Sequence, residues 1–292
     1  MKRLARRWRL WLPLLLIVIA GAMIVLNPLL VFNAVVPKDT ASALVADGIF
    51  YGVHERQRLD VYAPRRATGA LPVIVFFYGG AWDSGVRGRY AFAARALAAR
   101  GFVVIVPDYR LVPEVRFPDF LRDGAAAVRW TQSEAARFGG DPDRIVLMGH
   151  SAGAYNAAML ALDPRWLGEA RRQVRGLAVL AGPYDFLPLK DGSAVAAFGQ
   201  WPTLEDTQPV HHAGEAPPAL LLHGADDTRV RPRNSRRLAE ALERAGADVR
   251  LKLYPGLGHA AILTALSRPL RHRAPVLEDV AAFAHEVTAE GK

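Results

Sequence analysis

The residues with the clearest chemical potential are Gly149-His150-Ser151-Ala152-Gly153. A serine hydroxyl is a weak nucleophile until a base takes its proton, and the G-x-S-x-G spacing suits a serine held on a strained strand-to-helix bend. Glycine two places before and two places after the serine lets neighbouring backbone approach without a Cβ in the way. Such a bend lifts Oγ clear of its surroundings and aims the backbone N–H of Ala152 at the reacting oxygen. The flanks agree: Ile145-Val146-Leu147-Met148 has the pattern of a buried strand, and Ala152, Ala154, Ala157 and Ala158 give a thin-faced helix able to pack close to it.

A serine nucleophile needs a general base and an acid to orient that base. Of the eight histidines, His259 ends the glycine-rich loop Tyr254-Pro255-Gly256-Leu257-Gly258 behind a predicted strand, which lets an imidazole reach back toward Ser151. His54 lies too early, and His150 sits inside the bend with its side chain expected to point away from Oγ. His211 and His212 fall in an irregular stretch, His223 belongs to an acidic loop, and His272 and His285 sit in helical or linking context. For the acid, His223-Gly224-Ala225-Asp226-Asp227-Thr228-Arg229-Val230 offers two adjacent aspartates, and Gly182-Pro183-Tyr184-Asp185 offers a third. The residues alone leave Asp227, Asp226 and Asp185 open, with Asp226 also suited to capping a turn.

Elements able to position these groups alternate along the chain, as in an α/β fold with a mostly parallel sheet. Strands are expected over 54–62, 71–78, 102–106, 145–148, 177–180, 219–222 and 249–254. The run at 71–78 is apolar almost throughout, as in a central strand buried on both faces. Helices are expected over 89–100, 118–138, 151–162, 234–245 and 275–288. Residues 183–218 break the alternation with scattered Pro and Gly and are expected to form a lid or binding loop.

The chain resembles bacterial carboxylesterases of the α/β-hydrolase superfamily, in the branch similar to hormone-sensitive lipase, feruloyl esterases and kynurenine formamidases. The resemblance rests on Leu59-Asp60-Val61-Tyr62, Phe77-Tyr78-Gly79-Gly80-Ala81-Trp82, Pro107 to Glu114, Phe117-Pro118, Asp123, Gly139-Gly140-Asp141-Pro142, the Ser151 bend and the loops of Asp227 and His259. It spans roughly residues 50–290 and implies an α/β-hydrolase fold with a Ser…acid…His order. The family pattern H-G-x-x-D-x-x-V implies Asp227 as the acid. The loop after the 71–78 strand is similar to the HGGG-type loop of lipases and esterases, which implies oxyanion donors at Gly80 and Ala81, with Ala152 as the third. Tyr78 replaces the usual histidine of that loop and Ala81 the usual third glycine, so the loop must tolerate a Cβ where φ > 0 is common. Asp108, Arg110, Glu114 and Asp123 are expected to brace the surrounding loops.

The composition adds boundaries. With no cysteine, disulfides, thiolate ligands and a cysteine nucleophile are excluded. No Walker loop, dinucleotide G-x-G-x-x-G or clustered metal-ligand pattern is present, so neither cofactor nor metal is expected. The formal charge is +9, but Lys2, Arg3, Arg6, Arg7 and Arg9 crowd beside the apolar run Leu10 to Phe32. That pairing suits a basic flank retained inside a membrane rather than nucleic-acid binding. The run is long enough to cross a bilayer as a signal anchor, and Ala20-Gly21-Ala22 offers a cleavage site for the rival reading of a signal peptide.

The expected organisation is residues 1–36 as basic flank and anchor, 37–46 as tether, and 47–292 as catalytic domain, lying outside the cytoplasmic membrane or, after cleavage, periplasmic or secreted. The expected activity is hydrolysis of small or medium carboxylic esters through an acyl-enzyme on Ser151. Amide cleavage on the same residues, or a silent membrane-tethered binding protein, are the alternatives. The sequence is uninformative about oligomeric state.

Overall fold

The structure is a computed structural model that describes residues 28–289. The chain divides into two units, residues 1–36 and 37–292. The first contributes helix α1 (Pro28–Val35). The anchor expected over residues 10–32 lies mostly outside the described residues, and among those described no helix is long and apolar enough to cross a membrane.

The second unit holds one eight-stranded sheet in the order β1-β2-β4-β3-β5-β6-β7-β8. Strands β1 (Ser42–Phe50), β2 (Arg58–Pro64) and β4 (Val103–Pro107) pair antiparallel. From β4 onward, β3 (Leu71–Phe77), β5 (Gly140–His150), β6 (Val174–Leu180), β7 (Ala219–Gly224) and β8 (Val249–Tyr254) are parallel. Valine, isoleucine and leucine fill β3, β4, β6 and β7, which are buried almost end to end because helices cover both faces. β8 alternates partly buried and exposed residues, as a sheet edge does.

The connecting helices are α2 (Ala91–Ala98), α3 (Asp119–Glu134), α4 (Ala152–Leu162), the single turn α5 (Pro164–Leu167), α6 (Gly192–Phe198), α7 (Arg233–Arg244), α8 (His259–Thr264) and α9 (Val276–Val287). Helix α4 is buried along its whole length, which its alanines permit: small side chains let it lie close to β5 and β3.

Two stretches differ from the sequence expectation. Strand β1 begins at Ser42, inside the segment 37–46 expected as a tether. Arg95 fixes its start by donating to the carbonyls of Asp39 and Ser42, and Arg271 pairs with the Asp39 carboxylate at 2.8 Å. Its Ala, Asp and Gly content gives little strand signal, and pairing with β2 supplies what propensity does not. The irregular 183–218 stretch contains α6 and is packed inward. Phe186 and Phe198 lie against Trp82 and Tyr155, and the Tyr155 hydroxyl donates to the Thr207 carbonyl at 2.8 Å.

Candidate active site

Ser151 stands between β5 and α4 with φ 55° and ψ −125°, a conformation that L-residues rarely adopt. Both ends of the bend are fixed by hydrogen bonds: Ser151 N–H donates to Leu180 O at 2.9 Å, and Ser151 O accepts from Tyr155 N–H at 3.1 Å. The flanking glycines are required sterically. A Cβ on Gly149 would stand 2.2 Å from Gly153 O, and one on Gly153 would stand 2.1 Å from Phe77 O. The strained serine therefore rests on close contact between β5, α4 and the end of β3.

His259 opens α8 immediately after the loop that leaves β8. Its Nε2 lies 2.9 Å from Ser151 Oγ and its Nδ1 lies 2.7 Å from Asp227 Oδ2. In the neutral ring the Nδ1–H donates to the carboxylate and Nε2 accepts the serine O–H. Asp227 is buried on the loop after β7, where its Oδ1 accepts the N–H groups of Arg229 and Val230, each at 2.9 Å. Burial pushes the Asp227 carboxyl up, but the hydrogen bonds from His223, His259 and the Val230 N–H outweigh it and hold the carboxyl well below the usual range. It is thus ionised at neutral pH.

The other two aspartates are engaged elsewhere. Asp226 is exposed, and its N–H donates to Leu257 O at 3.1 Å. Asp185 pairs with Arg237 on α7, and its N–H donates to Asn234 Oδ1 at 3.0 Å.

Of the residues expected to stabilise an oxyanion, Ala81 and Ala152 line the same cleft as Ser151. Ala152 is the first residue of α4, so its N–H has no acceptor within the helix. Gly80, at φ 135°, makes the turn before them, its carbonyl accepting from Asp83 N–H at 3.1 Å and Ser84 N–H at 3.0 Å. Ala81 and Trp82 both have left-handed backbones, at φ 51° and 61°, which costs roughly 1–2 kcal/mol each. Trp82 secures the loop: its ring is buried in an aromatic cluster and its indole N–H donates to Asn156 Oδ1 at 3.1 Å. Tyr78 buries its ring between Tyr90 and Tyr109, and its hydroxyl donates to Asp108 Oδ1 at 2.6 Å. Arg87 pairs with Asp108, Arg110 with Asp123, and His54 with Glu114, so these groups tie loops together.

Two histidines have roles that residue order did not reveal. His223 is fully buried. Its Nε2 faces the Val230 carbonyl at 2.8 Å and Asp227 Oδ2 at 3.3 Å, while Nδ1 accepts from the Ser235 hydroxyl at 2.7 Å. The proton therefore sits on Nε2, where it steadies the carboxylate that faces His259. His150 is also buried, and its Nε2–H donates to the backbone carbonyl of His259 at 3.0 Å. A histidine preceding the serine on the strand end was the only available signal for it.

Burial, reinforced by the charge of His259, pushes the His150 imidazole down to about 3. An unfolded chain protonates this ring near pH 6.5, so between about 6.5 and 3 the unfolded state binds more protons. The contribution of this neutral ring to stability is therefore complete above pH 6.5 and is lost as pH falls toward 3, by up to about 1.4 kcal/mol per pH unit. Urea unfolding at pH 7 and pH 5 measures this slope, and His150→Gln is expected to flatten it. An unchanged slope in the variant would assign the loss to other groups.

Along the described cleft, Trp82, Pro183, Phe186, Leu187 and Ala194 supply apolar wall, enclosing about 570 Å³ beside Ser151. Among the described residues no group of three or more His, Cys, Asp or Glu side chains is arranged to hold a metal ion.

Comparison with known proteins fits this geometry. A family model described as BD-FAE matches residues 59–191, and one for the prolyl oligopeptidase family matches residues 184–291. The isoprenylcysteine alpha-carbonyl methylesterase ICME of Arabidopsis thaliana is 30% identical over 281 residues, 86% of this chain and 64% of that protein. Esterase LipC of Mycobacterium tuberculosis is 28% identical over 263 residues, 82% of this chain and 64% of that protein. A thermophilic esterase of Thermogutta terrifontis, solved with butyrate bound, superposes with a TM-score of 0.69 at 26% identity, covering 85% of this chain and 96% of that one. The chain spans between about half and two thirds of the length of the curated plant relatives it matches.

Proposed function

We propose that the chain is an α/β-hydrolase of the carboxylesterase kind and that it cleaves carboxylic esters of small or medium acyl chains through an acyl-enzyme on Ser151. The observation that carries this reading is the unbroken hydrogen-bonded line from Asp227 through His259 to Ser151 Oγ, ending at an open cleft of mixed polar and apolar lining. His259 Nε2 takes the serine proton as Oγ attacks the ester carbonyl carbon. The resulting oxyanion accepts from backbone N–H groups of the Gly80–Ala81 loop and of Ala152, and the Asp227 carboxylate stabilises the imidazolium. The imidazolium then protonates the departing alkoxide. Water, deprotonated by the same nitrogen, releases the carboxylic acid and restores Ser151.

A cleft of about 570 Å³ suits an acyl group of modest length, in keeping with the butyrate held by the Thermogutta esterase. The relatives' names favour ester over amide cleavage. Purified protein is expected to hydrolyse p-nitrophenyl butyrate faster than p-nitrophenyl palmitate. No turnover above buffer with any acyl length would remove the proposal.

We further propose that residues 10–32 hold the protein at the cytoplasmic membrane with the catalytic domain outside, on the strength of five basic residues preceding an apolar run. The full chain should then stay in the membrane fraction after alkaline carbonate washing, and a chain starting at Pro37 should be soluble and active. Extraction of the full chain by carbonate would contradict the anchor.

A further inference from the structure

The cleft beside Ser151 is lined by Arg229, Arg231, Arg233 and Lys190. All four residues are exposed, and among the described residues none of their side chains forms an ion pair or hydrogen bond. Several arginines elsewhere among the described residues are held by carboxylates: Arg87, Arg110, Arg250 and Arg271 each approach one to 2.8 Å or less. Two carboxylates share this lining, so its four cations outnumber them two to one. Asp185 pairs with Arg237, and Asp191 accepts the N–H groups of Ser193 and Ala194 at the start of α6. Asp227, two residues before Arg229, is turned inward onto His259. The arginines alternate with Val230 and Pro232 on the very loop that carries the acid, so their charge gathers at the mouth of the reaction site.

We infer that the preferred substrates are esters bearing a second, anionic group, a carboxylate or phosphate set apart from the scissile carbonyl and received by Arg229, Arg231, Arg233 and Lys190. This inference rests on the ester-hydrolase reading above and narrows its substrate class. A guanidinium presents forked donors that match both kinds of oxyanion. One exposed pair contributes little, but several like charges around one cleft focus the field and raise the local concentration of an anionic ligand. The same field is screened by salt, with a Debye length of about 10 Å at 0.1 M.

The test compares anionic esters with neutral twins. On the acyl side the pair is mono-p-nitrophenyl adipate against p-nitrophenyl hexanoate. On the alcohol side it is O-butyryl glycolate, and 2-phosphonooxyethyl butyrate for phosphate, against ethyl butyrate. At low salt kcat/KM is expected to favour an anionic member by about tenfold on at least one side. The anionic-to-neutral ratio should fall toward one as salt rises to roughly 1 M and in the variant K190Q/R231Q/R233Q. The salt series uses unaltered protein, so it decides the matter even if the variant folds poorly. Ratios at or below one on both sides, or a preference that neither salt nor the substitutions diminish, would overturn the inference. Calorimetric binding of the same esters to Ser151→Ala separates the two readings. Tighter binding of the anionic esters without turnover in wild type would sink the hydrolase reading alone, and equal binding would sink this one.

Discussion

Ser151→Ala is expected to lower kcat for p-nitrophenyl butyrate by roughly 10⁵-fold with KM little changed. The substitution removes one oxygen and nothing else from the bend. Ser151 has φ 55°, and alanine pays much the same backbone cost there, so the Gly149 and Gly153 contacts and the Leu180 hydrogen bond persist. The oxyanion donors also remain, so the variant should keep a residual acceleration of roughly 10³-fold over water. Steady-state kinetics beside a thermal melt reads both halves of this expectation. A melt within a few degrees of wild type together with turnover within tenfold would exclude Ser151 as the nucleophile.

Asp227→Asn is expected to cost about 10⁴-fold in kcat, although it changes a single atom in shape. Oδ1 of Asp227 accepts two backbone N–H groups, from Arg229 and Val230, so an asparagine must keep its oxygen there. Its NH₂ then takes the place of Oδ2, facing His259 Nδ1 and His223 Nε2. Two N–H groups cannot share that contact. His259 would move its proton from Nδ1 to Nε2, leaving no lone pair to accept the serine O–H. The same clash with His223 should also lower stability. Kinetics at pH 8 compared with wild type measures the effect, and a loss below tenfold would show that another group orients His259.

Much of this site was legible in the order of residues. The pentapeptide around Ser151 could be read because its glycines answer a steric demand that no other residue meets. His259 was legible from a glycine-rich loop following a strand. The acid was less so: Asp226 and Asp227 are neighbours, and it took the family pattern to choose Asp227, the carboxylate that turns inward to His223 and His259 while Asp226 stays exposed. The contribution of His150 was hidden because its contact is with a backbone carbonyl 109 residues away, which leaves no trace in local spacing. The parallel core strands declared themselves through apolar runs. Strand β1 did not, because an edge strand of mixed polarity owes its conformation to the partner it joins. Helix α6 was obscured by the prolines and glycines on either side, while Asp191 at its N-cap, accepting from Ser193 and Ala194, marks its start.

The nucleophile and the cleft walls are built from different kinds of structure. Ser151 hangs from β5, an interior strand of the sheet between β3 and β6, whereas the walls come largely from residues 183–194 and 228–234. Amide hydrogen exchange should register that division, with the Ser151 N–H exchanging only through global unfolding and the wall segments through local opening. Side-chain changes along the walls can accordingly reshape what the cleft admits while leaving the bend that holds the nucleophile untouched, a division of labour that lets one scaffold acquire new substrates in small, individually tolerable steps.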